Sequence, residues 1–437
     1  MGGSAGDGWL DVVWRRKSGR ARLGSAAFVA ATVAAVAVAL IVRPGGSAAP
    51  PALSAAASCG YENRVAGNPF LAGGHAPGGV VAVAPRGAIR PIDNPGFETP
   101  AAAQSWLGPQ APVVVVRVGN DVRAYPSAIL LWHEVVNDVV GGRPLLVTFC
   151  PLCNTAMVYE RRFGRAAHTF EVSGELSLGA AVLLDRADGM RYAQPTGAPL
   201  GPFTRAGAAG LLGLESAGPA TAHAGVLKPL RWYPSDLMRL EQAASANPDL
   251  VVLSRDTGYR RDYGASPYAR TGKQGTTPSL FDGFVDTRLE PKTRLVGIVV
   301  NGTAQAWLYT ALREAIVRND TVGGAPVAIF FRRDTASIAD SRSLAMAPMV
   351  GSAGVFGARV AGLDLHFSVG KDGVITDRET GSRWDMTGRA VLGPLAGTRL
   401  TPLRHLDTYW YVWAARYPDT RVWPPLPAGP CATGGPG

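Results

Sequence analysis

Two stretches of this 437-residue chain carry the same motifs in the same order. Residues 113–118 and 295–300 are apolar runs of the kind that form buried strands. In both stretches a polar turn, a helical pattern, an Asn-Asp pair, a Gly-Gly-x-Pro turn and a second β-rich run follow. Because a whole ordered series hardly matches by chance, the self-similarity predicts a tandem duplication. The predicted fold class is α+β, with two related strand-rich lobes.

The matched positions separate residues that build a lobe from residues that are special to one copy. Tyr125 and Trp307 occupy matching slots, which favours a packing role for both. The other matched groups are Asn137-Asp138 with Asn319-Asp320, 141–144 with 323–326, and Asp185-Arg186 with Asp377-Arg378. Residues needed only for folding should recur in this way, whereas residues of a functional site need not.

Residues 24–42 form an uncharged apolar run that is long enough, as a helix, to cross a bilayer. Basic residues precede the run, and the positive-inside rule places such a tail in the cytoplasm. We therefore predict a single-pass protein of the cell membrane, with a cytoplasmic N-terminus and an extracytoplasmic folded part. A cleaved signal peptide is the alternative, because Ser47, Ala48 and Ala49 would suit a signal peptidase.

These features divide the chain into five predicted segments. A cytoplasmic basic tail occupies 1–23, the transmembrane helix 24–42, and a Pro/Gly/Ala-rich linker 43–84. The first lobe is predicted to span 85–270, and the second lobe, a degenerate repeat of the first, 271–437. Two lobes also fit the length of the outer part, which exceeds what one hydrophobic core usually organises.

The net charge of +10 does not indicate a nucleic-acid partner. The arginines are scattered, and no dense basic run occurs beyond the N-terminal tail. The sequence therefore predicts contact with the membrane through the N-terminal helix and no binding of nucleic acid. It identifies no substrate.

Cys150 and Cys153 follow the second strand pattern of the first copy, where the second copy has no cysteine. Two intervening residues bring both sulfurs to one side of a tight turn, which suits either a bidentate thiolate ligand or a redox couple. His133, on the preceding helical pattern, is the candidate third ligand, and zinc or copper would suit this set. We predict that both sulfurs and one ring nitrogen of His133 converge to within roughly 5 Å. Glu134 joins these three as a candidate catalytic residue.

Other uses of the same residues remain open. Cys150 and Cys153 could form a structural disulfide, because the outer compartment is oxidising. Asp138 and His168 are further candidate ligands. A second structural disulfide is expected between Cys59 and Cys431, at the two ends of the folded part.

At these residues the chain resembles a known family of bacterial and archaeal proteins, the domain-of-unknown-function family 3179. The blocks that carry the resemblance are Arg-Ala-Tyr-Pro at 123–126, His-Glu-Val-Val-Asn-Asp at 133–138, Cys-Pro-Leu-Cys at 150–153, Ser-Gly at 173–174, Asp-Arg at 185–186, and Asp-Thr-Gly-Tyr, Arg-Asp-Tyr and Pro-Tyr within 256–268. The chain departs from the family pattern at Tyr192, usually Trp, and at Asn154, commonly Gly. The resemblance implies one extended pair of domains with the His-Glu and Cys-Pro-Leu-Cys blocks as signatures, and it implies no particular reaction.

Three classes of function fit these residues. The leading hypothesis is an extracytoplasmic metal-binding or thiol-redox protein that uses Cys150, Cys153 and His133. The second is a non-enzymatic binding module of the cell surface. Its recognition cleft, for a glycan or a peptide, would be lined by Tyr259, Tyr263, Tyr268 and Trp232. A hydrolase that uses Glu134 or Asp138 is the least favoured, because no nucleophile elbow or paired-carboxylate motif occurs.

Overall fold

The computed structural model describes residues 80–202, 228–269, 278, 281 and 286–426. The predicted tail and transmembrane helix, and both Cys59 and Cys431, lie outside the described residues. Within the described ranges no helix has the length and apolar character needed to span a bilayer. Val80–Ala82, which the sequence assigned to the linker, forms a strand that pairs with the folded part.

The structure is α+β, with many short strands and few helices, as the sequence predicts. Elements up to residue 253 are called the first lobe, and elements from residue 294 onward the second lobe. The helices are α1 (Pro100–Ala103), α2 (Ser127–His133), α3 (Leu240–Ala246), α4 (Tyr309–Ala315) and α5 (Trp410–Arg416). The strands of the first lobe are β1 (Val80–Ala82), β2 (Phe97–Glu98), β3 (Pro112–Val118), β4 (Asp121–Pro126), β5 (Val135–Val140), β6 (Arg143–Cys150), β7 (Thr155–Glu160), β8 (Arg162–Phe163), β9 (Ala166–Ala167), β10 (Phe170–Ser177), β11 (Ala180–Asp185), β12 (Met190–Ala193), β13 (Pro199–Pro202), β14 (Arg231–Trp232), β15 (Ser235–Arg239) and β16 (Val251–Leu253). The strands of the second lobe are β17 (Arg294–Val300), β18 (Thr303–Leu308), β19 (Val317–Val322), β20 (Ala325–Arg332), β21 (Ser352–Gly357), β22 (Arg359–Val360), β23 (Leu363–Asp364), β24 (Phe367–Val369), β25 (Ile375–Asp377), β26 (Arg383–Trp384), β27 (Ala390–Leu392), β28 (Thr401–Pro402), β29 (His405–Tyr409) and β30 (Arg421–Trp423).

The two lobes repeat the same strand order in three sheets each. The order β15-β3-β4-β16, extended by β2, matches β29-β17-β18-β30. The order β14-β7-β6-β5 matches β28-β21-β20-β19, and β10-β11-β12-β13, extended by β1, matches β24-β25-β26-β27. In both lobes the last strand pairs in parallel, β16 with β4 and β30 with β18. The motif order read from the sequence therefore coincides with a repeated topology.

The matched aromatic and Asp residues make the same contact in both lobes. The Tyr125 hydroxyl donates to Asp138 Oδ2 at 2.5 Å, and Trp307 Nε1 donates to Asp320 Oδ2 at 2.9 Å. Both rings are fully buried. The predicted packing role of the Tyr125 and Trp307 slots is thus confirmed, with the Asp as a shared acceptor that satisfies a buried donor.

The matched Asn residues also have a structural role. Asn137 donates from Nδ2 to the carbonyl of Phe170 at 2.9 Å and accepts the amide of Phe170 at 2.9 Å. Asn319 makes the same two bonds with Phe367, both at 2.8 Å. Each Asn thereby ties the second sheet of its lobe to the first residue of a strand in the third sheet. Such a two-bond bridge explains why the sequence retains Asn in both copies.

The Gly-Gly turns recur because a side chain would not fit. Gly141 and Gly323 have φ of +51° and +56°. A Cβ on these residues would lie 2.7 Å from the carbonyl oxygen of Val118 and 2.2 Å from that of Val300. Both distances are below van der Waals contact, so glycine is required on steric grounds as well as by its positive φ.

The lobes share one hydrophobic core at their interface. It combines Val135, Leu146, Cys150 and Cys153 of the first lobe with residues of α5 such as Trp410. Strand β29 packs against β7, and the equivalent strand β15 packs against β21. Because each lobe contributes the equivalent strand to the other, the contact has the reciprocity of a pseudo-twofold arrangement. The Cys-x-x-Cys turn lies in this shared core.

Candidate functional site

Cys150 and Cys153 flank the turn between β6 and β7. Cys150 is the last residue of β6, and its Cα partner across the hairpin is Thr155. Asn154 closes the turn with φ of +54°, a left-handed conformation that Asn tolerates better than most residues. The departure from Gly at this position therefore leaves the turn intact. Both cysteines are free and buried, so the alternative of a disulfide between them is not what the structure shows.

The two sulfurs have few polar partners. Cys153 Sγ lies 3.7 Å from the Cys150 carbonyl oxygen, to which it donates, and the amide of Ala181 donates to Cys150 Sγ at 3.4 Å. Burial raises the pKa of the Cys150 thiol well above its ordinary value, and the neighbouring Cys153 adds to the rise. Cys150 is therefore a protonated thiol at neutral pH and needs a base to become a nucleophile.

Glu134 is buried within electrostatic reach of Cys150. Helix α2 ends at His133, and Glu134 caps it in the left-handed region with φ of +55°. The Tyr268 hydroxyl donates to Glu134 Oε1 at 2.7 Å. Burial raises the pKa of Glu134 to about 8, the adjacent Cys150 adds to this rise, and the bond from Tyr268 opposes it. A carboxyl group with this pKa holds a proton in most molecules at neutral pH, and its ionised form, which predominates above about pH 8, can accept a proton.

The second lobe forms the same fold with neither a carboxyl group nor a thiol at the equivalent positions. Glu134 corresponds to Ile316, which caps α4 with φ of +62°, and Cys150 corresponds to Arg332. A β-branched residue rarely adopts a positive φ, so the fold itself imposes the turn at this position. The buried guanidinium of Arg332 faces Asp236 of the first lobe at 3.5 Å. The carboxyl and the thiol are thus additions of the first lobe to a shared scaffold.

Residues of the second lobe cover the cysteine turn. Thr408 Oγ1 donates to the carbonyl of Cys153 at 3.0 Å, and the Tyr411 hydroxyl donates to the carbonyl of Leu152 at 2.8 Å. The half-buried Arg416 donates to the carbonyl of Ser177 at 2.9 Å and lies close enough to both sulfurs to interact with them electrostatically. Sequence reasoning missed these residues because they lie some 250 positions away and belong to no motif.

His133 does not join the sulfurs. Its Nδ1 lies 2.7 Å from the carbonyl oxygen of Arg90, and its Nε2 lies 2.7 Å from the Tyr263 hydroxyl. A carbonyl oxygen only accepts, so Nδ1 carries the proton and Nε2 accepts from Tyr263. Burial lowers the pKa of His133, which keeps the ring neutral. The predicted convergence of His133 with the two sulfurs is therefore wrong, because both ring nitrogens are engaged elsewhere.

The other predicted site residues fall in different places. Asp138 accepts two bonds from Arg123 and one from Tyr125, which makes it part of the scaffold. His168 pairs with Asp185 in the third sheet of the lobe. Trp232 lies in β14, paired with β7, away from the tyrosines with which the sequence grouped it.

An open cleft of about 700 Å³ lies on the outer side of His133. Tyr259 and Tyr263 line it, as the binding-module hypothesis predicts, whereas Tyr268 is buried against Glu134. Its other lining residues are Trp132, Arg255, Asp256, Arg260, Arg261 and Asp262. The Arg261 guanidinium lies 5.7 Å from the Trp132 ring centre. The cleft is thus rich in aromatic and arginine side chains.

The fold and site define a two-lobed, strand-rich protein with a buried pair of thiols in one lobe. Over residues 86–420 the chain matches the family model described as protein of unknown function (DUF3179). The chain belongs to this family, and the resemblance seen in the sequence blocks is confirmed. No curated protein and no solved structure matches it.

Proposed function

We propose that this protein is a membrane-anchored, extracytoplasmic thiol-redox protein in which Cys150 and Cys153 cycle between two thiols and a disulfide. The observation that carries the proposal is the vicinal pair of free, buried thiols, Cys150 and Cys153, with the buried carboxyl group of Glu134 within electrostatic reach of Cys150. The second lobe has Ile316 and Arg332 at the same backbone positions. Because the second lobe folds without this base and these two thiols, we infer that they serve a chemical reaction rather than the fold.

The reaction is an exchange with a partner disulfide. The Glu134 carboxylate accepts the proton of Cys150, and the Ala181 amide stabilises the resulting thiolate. That thiolate attacks one sulfur of the partner, forming a mixed disulfide and releasing a first thiol. Cys153 then attacks Cys150 of the mixed disulfide and releases the second thiol. Two electrons reach the partner, and the two protons of the cysteines end on its two thiols.

Burial gates this exchange. Thr408 and Tyr411 hold the backbone of the cysteine turn from the second lobe, so a partner reaches the sulfurs only when this interlobe contact opens. Exchange should therefore be slower than for an exposed thiol, with opening as the limiting step. Gating of this kind keeps the pair away from non-specific thiols and oxidants.

The geometry favours redox chemistry over zinc or copper at these sulfurs. In the described part of the chain, no group of three His, Cys, Asp or Glu ligand atoms within 4.8 Å of one another includes Cys150 or Cys153. A stable zinc or copper site with two thiolates needs at least a third protein ligand. Metal binding by the pair remains the alternative use of the same residues.

A redox titration tests the proposal. The full chain in detergent is equilibrated with mixtures of reduced and oxidised glutathione. Free thiols are alkylated after acid quenching, and the mass of the peptide that contains Cys150 and Cys153 is measured by mass spectrometry. We expect a single reversible transition with a slope of about 30 mV per tenfold change, as a two-electron couple requires. Glu134→Gln should slow the exchange by at least about tenfold, since it removes the base.

Single cysteine variants separate the two roles. Cys153→Ser should accumulate a mixed disulfide with glutathione at Cys150, whereas Cys150→Ser should not accumulate one. A pair that stays reduced at every glutathione ratio in the folded protein, and oxidises only in denaturant, would be a static part of the core. The binding module is then favoured, with its ligand held by Tyr259 and Tyr263 in the cleft. In that case Tyr259→Ala, and neither cysteine variant, should abolish retention on immobilised glycans or peptides.

The membrane anchor is part of the proposal and rests on residues 24–42, outside the described part of the structure. The basic tail before this run orients the N-terminus to the cytoplasm. A reporter that is active only outside the cytoplasm, fused after Gly437, should therefore be active. Activity of a cytoplasm-only reporter at the same site would place the folded part inside the cell and exclude the oxidising compartment that the redox cycle assumes.

Two lobes with a single site also fit an origin by tandem duplication, which we infer from the repeated strand order and the repeated Asn and Asp contacts. The first copy then carries the thiols, and the second copy covers them. The cysteine turn of four residues corresponds to the loop at 333–351, between Arg332 and Ser352 in the second lobe. The second lobe thus diverged at the very turn that holds the site in the first.

A further inference from the structure

We propose that His168, Asp185 and Asp188 form a divalent-cation site in the first lobe, separate from the cysteine pair. One ligand atom from each residue lies within 4.8 Å of the other two. An imidazole nitrogen with two carboxylate oxygens is a donor set for first-row divalent ions such as Zn²⁺ and Mn²⁺. Nothing in the redox cycle uses these residues.

Three backbone segments bring the ligands together. His168 lies between β9 and β10, Asp185 ends β11, and Asp188 lies in the turn to β12. His168 Nδ1 is 2.6 Å from Asp185 Oδ2, and the Asp185 side chain is fully buried. The Phe163 ring stacks on the imidazole with 4.5 Å between centroids, which fixes the ring plane. A ligand set held by packing in this way is ordered before the ion arrives.

The turn also positions the second carboxylate. Asp188 Oδ1 accepts the amide of Met190 at 2.9 Å, and Asp185 Oδ1 accepts the amide of Ala187 at 2.9 Å. The other oxygen of Asp185, Oδ2, faces His168 Nδ1. Two carboxylates this close repel each other unless positive charge lies between them, which an ion would supply.

The second lobe supplies the matched comparison. The counterpart of Asp185 is Asp377, but its oxygens accept from Trp384 Nε1 at 2.8 Å and from the amide of Thr380 at 2.6 Å. These neutral donors satisfy the buried carboxylate completely. The hairpin registers align Tyr192 with Trp384, so the first lobe lacks this indole donor. Tyr192 of the first lobe thus stands where the second lobe has its indole donor to the buried carboxylate.

The other two candidate ligands, Asp188 and His168, also differ from their counterparts in the second lobe. Thr380 of the second lobe corresponds to Asp188, and Leu365 corresponds to His168. Three differences between the lobes therefore replace an indole, a hydroxyl and an alkyl group by a set that can hold a cation.

Only small movements convert the cluster into a bound site. Ligand atoms of a tetrahedral zinc lie about 2.0–2.1 Å from the ion and hence roughly 3.3 Å from one another. The His168 and Asp185 atoms must separate slightly, and the partly exposed Asp188 must approach.

The test measures Zn²⁺ binding to the untagged full chain in which both cysteines of the pair are serine. Calorimetry with zinc chloride should show one site per chain. Asp188→Thr and His168→Leu, which introduce the second-lobe residues, should each weaken binding by at least tenfold. His366→Leu, which removes an exposed histidine of the second lobe, is the matched control and should leave binding unchanged. Thermal unfolding of each variant without metal checks that the fold is retained.

Mn²⁺ binding to the wild-type chain gives a second readout, since this ion prefers oxygen and nitrogen to sulfur. Its electron paramagnetic resonance signal should diminish on binding, and Asp188→Thr should restore it. Equal binding of either ion by the wild-type and Asp188→Thr chains, or no binding at all, would overturn the proposal. Neither result depends on the cysteines, so it leaves the proposed redox function untouched.

Discussion

We expect the free energy of unfolding of the wild-type protein to fall between about pH 5 and pH 8, and we expect Glu134→Gln to abolish this fall. The pKa of Glu134 is raised from 4.5 to about 8 by burial. Between these values the folded state keeps a proton that the unfolded state has released. The free energy of unfolding therefore falls as pH rises through this window.

The size of the effect follows from the shift. Stability from the protonated form is complete below pH 4.5 and is lost as pH rises through about 8. Each unit in between costs up to about 1.4 kcal/mol, so the whole window amounts to something on the order of 3–5 kcal/mol. Glutamine stays neutral, and its amide oxygen can still accept from Tyr268. The difference between the two proteins should thus grow with pH.

Urea unfolding at several pH values between 5 and 8 measures this difference. Glu314→Gln, at an exposed position of the equivalent helix α4, is the control and should parallel the wild type. If the wild type and Glu134→Gln keep a constant difference in unfolding free energy across the range, Glu134 does not have the raised pKa that the redox proposal assigns to its base.

Asp138→Ala is expected to destabilise the protein by about 3–5 kcal/mol, more than Asp320→Ala at the matched position of the second lobe. Asp138 is buried and accepts from Arg123 Nη1 at 2.7 and 2.9 Å as well as from the buried Tyr125 hydroxyl. Its removal leaves the Tyr125 phenol without its acceptor and leaves the partly buried Arg123 with Asp121 as its carboxylate partner. Asp320 accepts from Trp307, and its nearest guanidinium, that of Arg318, lies 3.7 Å away.

The loss for Asp320→Ala should be about 1–2 kcal/mol, as for one buried donor left unpaired. Urea unfolding followed by tryptophan fluorescence compares the two variants at one pH. Equal losses would mean that the Arg123 pair adds nothing to the aromatic–Asp contact common to both lobes. The hydrolase hypothesis for Asp138 predicts the opposite result, in which Asp138→Ala loses activity with little change in stability.

The error over His133 has a local cause. The sequence places His133 and Glu134 next to each other before a strand that ends in Cys150, and any helical pattern leaves the direction of each side chain open. The helix ends at Glu134, whose φ is +55°, and Glu134 accepts from Tyr268 within electrostatic reach of Cys150, while His133 contacts Arg90 and Tyr263. The backbone turn at Glu134 thus accompanies the different surroundings of the two neighbours.

The sequence by itself determined the repeated architecture, because alternating apolar residues, Asn-Asp pairs and Gly-Gly turns act locally and recur in both copies. It also singled out the cysteine turn as special to the first copy, since absence from the second is visible without coordinates. The tertiary structure alone decided what surrounds that turn. Thr408, Tyr411 and Arg416 cover it from the second lobe, and no local pattern encodes contacts across some 250 residues of chain. Burial, which depends on how segments far apart in the sequence pack, is what raises the pKa of Glu134.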